Sequence, residues 1–142
     1  MPKICFLGAG STVFAKNVLG DCLLAECLND SHITLVDIDP DRLSASEVML
    51  KNINRTVGAT AAIEAFLAED AEKALVGADY VVNAIQVGGY EPATVADFEI
   101  PKKYGLRQTI ADTLGIGGIF RGIRTIPVVL DYCRIIEKVA PD

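Results

Sequence analysis

Gly8 and Gly10, followed at once by the hydroxyls of Ser11 and Thr12, lie in "ICFLGAGSTVFAK", between a short apolar run and a stretch of helical spacing. Those residue types in that order suit the binding of a phosphate. In the glycine fingerprint of dinucleotide sites the first glycine allows a tight turn, the second lets the backbone approach a pyrophosphate, and the third allows close packing of helix on strand. The phosphate is met by backbone N–H groups at the helix N-terminus, where the macrodipole favours an anion. Gly8 and Gly10 meet the first two demands. Val13 stands in the third place, which predicts a slightly displaced helix rather than a lost site. A lone G-x-G also serves plain turns, so its surroundings carry the weight.

The next apolar run, "HITLVDID" (32–39), ends in Asp37 and Asp39. An acid at that place accepts hydrogen bonds from the adenosine ribose hydroxyls and repels a 2′-phosphate, which favours NAD over NADP. The interval from Gly10 to Asp37 exceeds the usual one of about 20 residues, and a long first helix accounts for it. The alternative is that Asp37 and Asp39 only cap the following helix. Arg42 is either a ribose or phosphate contact or an ordinary residue of that helix's surface. In "VVNAIQVGG" Asn83 and Gln86 fall at or near the end of a further strand, beside the crevice where open α/β sheets bind ligands, and one of the two amides is expected to face the ligand. On a regular strand the two cannot point the same way.

These residues need a scaffold, and the alternation of strand and helix patterns supplies one. Lys3 to Leu7 reads as a buried strand and Thr12 to Leu28 as a helix with apolar Val13, Phe14, Val18, Cys22 and Leu23. "HITLVDID" reads as a second strand. Residues 40–57 read as a helix with Pro at its start and apolar Leu43, Val48, Leu50 and Ile53. Then come a weaker strand (61–68), a short helix and the most strand-like segment, "DYVVNAIQV" (79–87). Strands and helices at βαβ spacing predict an α/β fold, a Rossmann-like doubly wound parallel sheet of order 3-2-1-4. A last helix carries Ile119, Ile123, Ile126, Leu130, Cys133 and Val139, with Pro127 kinking it or marking its first turn. The strand that should follow is absent, so residues 1–142 read as one dinucleotide-binding domain, the N-terminal fragment of a longer enzyme, with one sheet edge left unpaired.

Composition narrows the function. The chain is 51% hydrophobic and 23% charged, which excludes a disordered protein, and 142 residues can bury a real core. With a net charge of -6 and no Lys/Arg run, nucleic acid is not an expected partner. No apolar stretch reaches the ~20 residues of a membrane span, and the first residues lack the basic and apolar regions expected of a secretion signal. A cytoplasmic location is expected. Cys5, Cys22, Cys27 and Cys133 contain no C-x-x-C pair and fall in apolar segments, so they are expected as small core residues. His32, the only histidine, lies at the amino end of the second strand, on the edge opposite the crevice.

Three stretches carry more than a generic fold: "FLGAGSTVFAKNVLGD", "LVDIDPDRL" and "QVGGYEPATVADFEIPKKYGLRQTIADTLGIGGIFRGIRTIP". Together they resemble the N-terminal region of the family 4 glycoside hydrolases, and within it the α-galactosidase branch, whose glycine loop commonly reads GAGS followed by non-glycine residues. The resemblance implies a glycosidase that holds NAD and a divalent metal, usually manganese, and that departs from the paired-carboxylate mechanism of most glycosidases. It implies oxidation of the sugar at C3, removal of the C2 proton by a tyrosine, elimination, addition of water and reduction, redox-neutral overall. On this basis Gly8, Gly10, Ser11, Thr12 and Asp37 match cofactor positions. Asp112 of "IADTLG" matches an acid that raises the basicity of the catalytic tyrosine. The family's metal ligands, substrate asparagine, proton donor and tyrosine all follow residue 142, and none of Tyr80, Tyr90, Tyr104 and Tyr132 matches that base. The 142 residues alone are therefore expected to be inactive and to hold no metal ligand. The resemblance implies an α-galactoside substrate, or an α-glucoside or α-galacturonide, and a homo-oligomer for the whole enzyme. The competing readings are an NAD-dependent dehydrogenase of the lactate or malate type and a non-catalytic nucleotide sensor.

Overall fold

The structure, a computed structural model, describes residues 1–108 and 115–141. The chain divides into two compact units, residues 1–85 with 135–142, and residues 86–134.

In the first unit four parallel strands form one sheet: β1 (Lys3–Leu7), β2 (His32–Asp37), β3 (Ala62–Leu67) and β4 (Tyr80–Asn83), in the order β3-β2-β1-β4. This is the doubly wound order expected from the sequence. Helices α1 (Thr12–Leu24) and α2 (Pro40–Thr56) connect the first three strands, and α3 (Ala71–Leu75) precedes β4. Successive strand residues point to opposite faces. Ile4, Phe6, Ile33, Leu35 and Ile63 join Ala15, Leu19, Leu23, Leu43 and Leu50 of α1 and α2 in one core cluster. On α3, the Ala74 carbonyl accepts from the buried Thr34 hydroxyl at 3.0 Å.

The structure corrects several expectations about which residues are inside. On α1 the buried residues are Ala15, Leu19 and Leu23, while Val13, Phe14 and Val18 are exposed. Because the Val13 side chain faces out, it takes no part in the helix–strand packing that a third glycine would ease, and the expected displacement loses its cause. On α2 the buried face is Leu43, Ser46 and Leu50, and Val48 is exposed. Cys5 is buried and Cys22 half-buried, but Cys27 and Cys133 are exposed and so are not core residues. The last strand is shorter than its apolar run. β1 ends at Leu7, which pairs with Asn83, so the ladder has no partner to continue beyond that point.

In the second unit a π-helical turn over Gly89–Thr94 leads into α4 (Val95–Lys102), and α5 (Gly115–Val139) enters the unit from its own N-terminus. Arg124 of α5 makes two hydrogen bonds to Asp97 of α4, at 2.8 and 2.6 Å. Asp97 is buried, and its hydrogen bonds push the Arg124 guanidinium pKa further above its ordinary value. The Gln108 Oε1 accepts from the Gly117 N–H at 2.7 Å in the first turn of α5. α5 runs on through Pro127. Its expected apolar face does not turn inward: Ile119, Ile123, Ile126 and Leu130 are exposed. At its far end α5 belongs to the first unit, where the Val139 carbonyl accepts from the Gly77 N–H and Lys138 pairs with Glu72.

Candidate functional site

The carboxyl ends of β1, β2 and β4 carry the loop of interest. Gly8 leaves the strand with φ +88, and a Cβ there would lie 2.6 Å from the Ala84 carbonyl carbon and oxygen and 2.8 Å from the Ile85 nitrogen. Both the backbone angle and the space therefore demand glycine. The N–H groups of Gly8 and Ala9 both donate to the Val36 carbonyl, at 2.8 and 3.0 Å, which ties the loop to the end of β2.

Gly10 also meets a packing requirement within the loop. Its N–H donates to Asp37 Oδ2 at 2.7 Å, and a Cβ on it would stand 2.7–2.8 Å from the Asp37 carboxylate. The glycine makes room for the acid. The other carboxylate oxygen of Asp37 accepts from the Asp39 N–H at 3.0 Å. Asp39 takes the capping role for α2, accepting from the N–H groups of Asp41 and Arg42 at 3.0 and 3.1 Å. Of the two acids for which sequence left open ribose binding or helix capping, Asp39 caps α2 and Asp37 holds the loop.

α1 begins differently from α2. Ser11 stands at its N-cap position but its side chain makes no capping bond, and the first turn holds no acidic residue. The Ser11 N–H donates to the Gly8 carbonyl and the Thr12 N–H to the Gly10 carbonyl, both at 3.1 Å. Among the described residues the N–H groups of Val13 and Phe14 find no acceptor. These are the positions whose counterparts Asp39 closes in α2. An uncapped helix start with two free donors, two nearby hydroxyls and no repelling carboxylate in its first turn has the donors that an anion requires.

Ser46 went unread in the sequence. Its buried hydroxyl donates to the Ala9 carbonyl at 2.6 Å. The available signal was a serine in the buried helical row Leu43, Ser46, Leu50, where a lone hydroxyl is unfavourable unless paired.

The remaining candidates separate. Asn83 is exposed beside Leu7 at the end of β4, and its Oδ1 accepts from the Ile85 N–H at 3.3 Å. Gln86 belongs to the second unit and its Nε2 donates to Thr94 Oγ1 at 3.0 Å. Arg42 is exposed, and among the described residues its guanidinium joins no ion pair. Asp112 lies outside the described residues. His32 pairs with Glu64 at 2.8 Å on the neighbouring strand. Among the described residues no group of three or more His, Cys, Asp or Glu could hold a metal ion, and no helix is long and apolar enough to cross a membrane. A groove of about 1040 Å³ along α2, lined by Lys16, Val48, Ile53 and Val57 among others, includes none of the glycine-loop residues.

The chain is similar to several known proteins. The sequence profile described as family 4 glycosyl hydrolase matches residues 3–142. An alpha-galactosidase of Bacillus subtilis (strain 168) is 60% identical over all of this chain, which covers 32% of that protein. An alpha-galactosidase of Rhizobium meliloti (strain 1021) is 38% identical over 97% of this chain and 28% of its own length. The 6-phospho-beta glucosidase of Thermotoga maritima, solved with manganese, NAD+ and glucose-6-phosphate, is similar in structure with a TM-score of 0.81 at 25% identity, over 99% of this chain and 32% of that one. The chain spans about a third of the length of the curated relatives it matches.

Proposed function

The chain belongs to the family 4 glycosyl hydrolases, and on that premise we propose that residues 1–142 are the NAD-binding portion of a longer enzyme that hydrolyses α-galactosides. The observation that carries the reading is the open N-terminus of α1 beside an acid that lines its loop. The Val13 and Phe14 N–H groups, with the hydroxyls of Ser11 and Thr12, are the donors for the pyrophosphate of the dinucleotide. Asp37 offers its remaining lone pairs to the adenosine ribose hydroxyls, and its charge disfavours a 2′-phosphate. Gly8 keeps the loop against β4, where Asn83 is placed to offer an amide to the ligand. Gln86, committed to Thr94, serves the second unit, and Arg42 serves the surface of α2.

Bound NAD supplies a hydride acceptor that can later return the hydride. That chemistry suits hydrolysis without net oxidation, and the α-galactoside specificity rests on the 60% identity with the Bacillus subtilis protein. Asp112 keeps, in this proposal, the role of tuning the tyrosine base. The described residues do not provide a donor set for manganese, and in this proposal the divalent cation is held by other residues of the longer enzyme. The working enzyme is a homo-oligomer in the cytoplasm, where NAD is available.

The test uses the full-length enzyme, stripped of nucleotide and metal and then reconstituted, with α-galactoside, α-glucoside and α-galacturonide substrates. Turnover of the α-galactoside should return only when NAD and a divalent cation are both added, with no net NADH formed. The 142-residue chain should show none. Undiminished turnover without NAD overturns the mechanism, and preference for either other sugar overturns the substrate.

A further inference from the structure

We propose that Ser46 is a positioning residue for the dinucleotide: together with Asp37 it locks the peptide plane between Ala9 and Gly10, from which α1 departs. The inference rests on the NAD reading above and adds to it a residue and a mechanism.

Beyond the two bonds to the Val36 carbonyl, two side-chain hydrogen bonds hold the loop from outside, and they fall on the two ends of one peptide unit. The Ala9 carbonyl accepts from Ser46 Oγ at 2.6 Å, and the Gly10 N–H donates to Asp37 Oδ2 at 2.7 Å. A peptide unit is planar, so bonds at both ends fix its rotation. Left to itself this unit would be soft, because glycine on its C-terminal side accepts a wide range of backbone angles. A flip would exchange the directions of the carbonyl and the N–H. It would break both bonds, and any rotation at Ala9 ψ or Gly10 φ that is not compensated by the other would re-aim the chain entering α1.

Three further observations fit this role. Ala9 and Ser46 are fully buried, so water cannot replace the serine as donor to that carbonyl. Ser46 occupies the row of α2 that otherwise holds Leu43 and Leu50, and its bond to the loop explains a hydroxyl there. Gly10 cannot carry a Cβ without striking the Asp37 carboxylate, so the residue that makes the peptide mobile is also the one that admits its clamp. With the Gly10 N–H spent on Asp37, the helix start presents the Val13 and Phe14 N–H groups in a fixed direction.

The test is Ser46→Ala in the full chain, read in two ways at a temperature where the folded state is fully populated. NAD titration by calorimetry should give a Kd raised about tenfold, the size expected for an unpaired buried acceptor passed on to the loop. Hydrogen exchange of the Gly10 amide, followed by NMR without nucleotide, should accelerate about tenfold while the β1 and β2 amides keep their protection. Ser46→Cys, similar in size with a weak S–H donor, should fall between the two and serves if the alanine variant does not fold. A lowered Tm with unchanged Kd and unchanged Gly10 exchange marks a merely structural serine and overturns the proposal. Failure of the unmutated chain to bind NAD overturns the dinucleotide reading itself, a separate result.

Discussion

The same substitution at two glycines should move stability in opposite directions. At Gly8, alanine must adopt φ near +88, where an L-residue loses about 1–2 kcal/mol. Its methyl would meet the backbone of Ala84 and Ile85 at 2.6–2.8 Å, atoms that belong to the end of the β4 connection and cannot swing aside as a side chain can. Overpacking of that kind costs about 1–3 kcal/mol, so the sum is about 2–5 kcal/mol. For a chain of this size that lowers Tm by roughly 10 °C. Gly20 lies inside α1 with nothing within 4 Å of an added Cβ, so Gly20→Ala gains helix propensity, about 0.5–1 kcal/mol, and raises Tm by roughly 2–3 °C. Thermal and urea unfolding followed by circular dichroism measures both, with the urea m-value expected unchanged. A Gly8→Ala protein within about 2 °C of the parent would refute the claim that space and backbone angle, rather than phosphate contact alone, require glycine there.

The division between the two acids is testable by binding. Asp37→Asn leaves one acceptor oxygen where Gly10 and Asp39 both donate, so NAD affinity and the preference for NAD over NADP should each fall about tenfold, whereas Asp39→Ala should lose about 1 kcal/mol of stability through its cap and leave NAD affinity unchanged. Calorimetric titration with both dinucleotides checks this, and equal loss in the two variants contradicts it. In the second unit Arg124→Met strands a buried Asp97 carboxylate, so its urea midpoint should drop further than that of Asp97→Asn; identical midpoints count against a clamp between α4 and α5. Burial raises the Cys5 thiol pKa, with a smaller opposing effect from its hydrogen bond to Thr34. The folded state therefore holds that proton more tightly than the unfolded chain. The resulting stability is complete below the ordinary thiol pKa and is lost as pH rises through the raised one. The urea midpoint should fall as pH rises past the ordinary thiol pKa, less so in Cys5→Ala. Under native conditions a thiol reagent should modify exposed Cys27 and Cys133 and spare Cys5.

Sequence by itself determined the elements and their order. Apolar runs of strand length alternating with helical spacing, joined by right-handed crossovers, leave few arrangements, and β3-β2-β1-β4 is one of them. The glycine pair was legible because a turn between strand and helix leaves few residue choices. Direction and partnership were not legible. α1 is apolar nearly all round, so Val13, Phe14 and Val18 have helical spacing as plausible as that of Ala15, Leu19 and Leu23, and only the position of the sheet decides which set is buried. The run through residue 87 has strand character, yet β4 stops at Asn83 because a ladder is no longer than its neighbour and β1 ends where Gly8 turns. The hydrogen bonds of the site lie beyond any local pattern. Gly10 meets Asp37 and Ala9 meets Ser46 only after β2 and α2 have been laid beside the loop, since a hydrogen bond depends on distance in space and leaves no periodic trace along the chain.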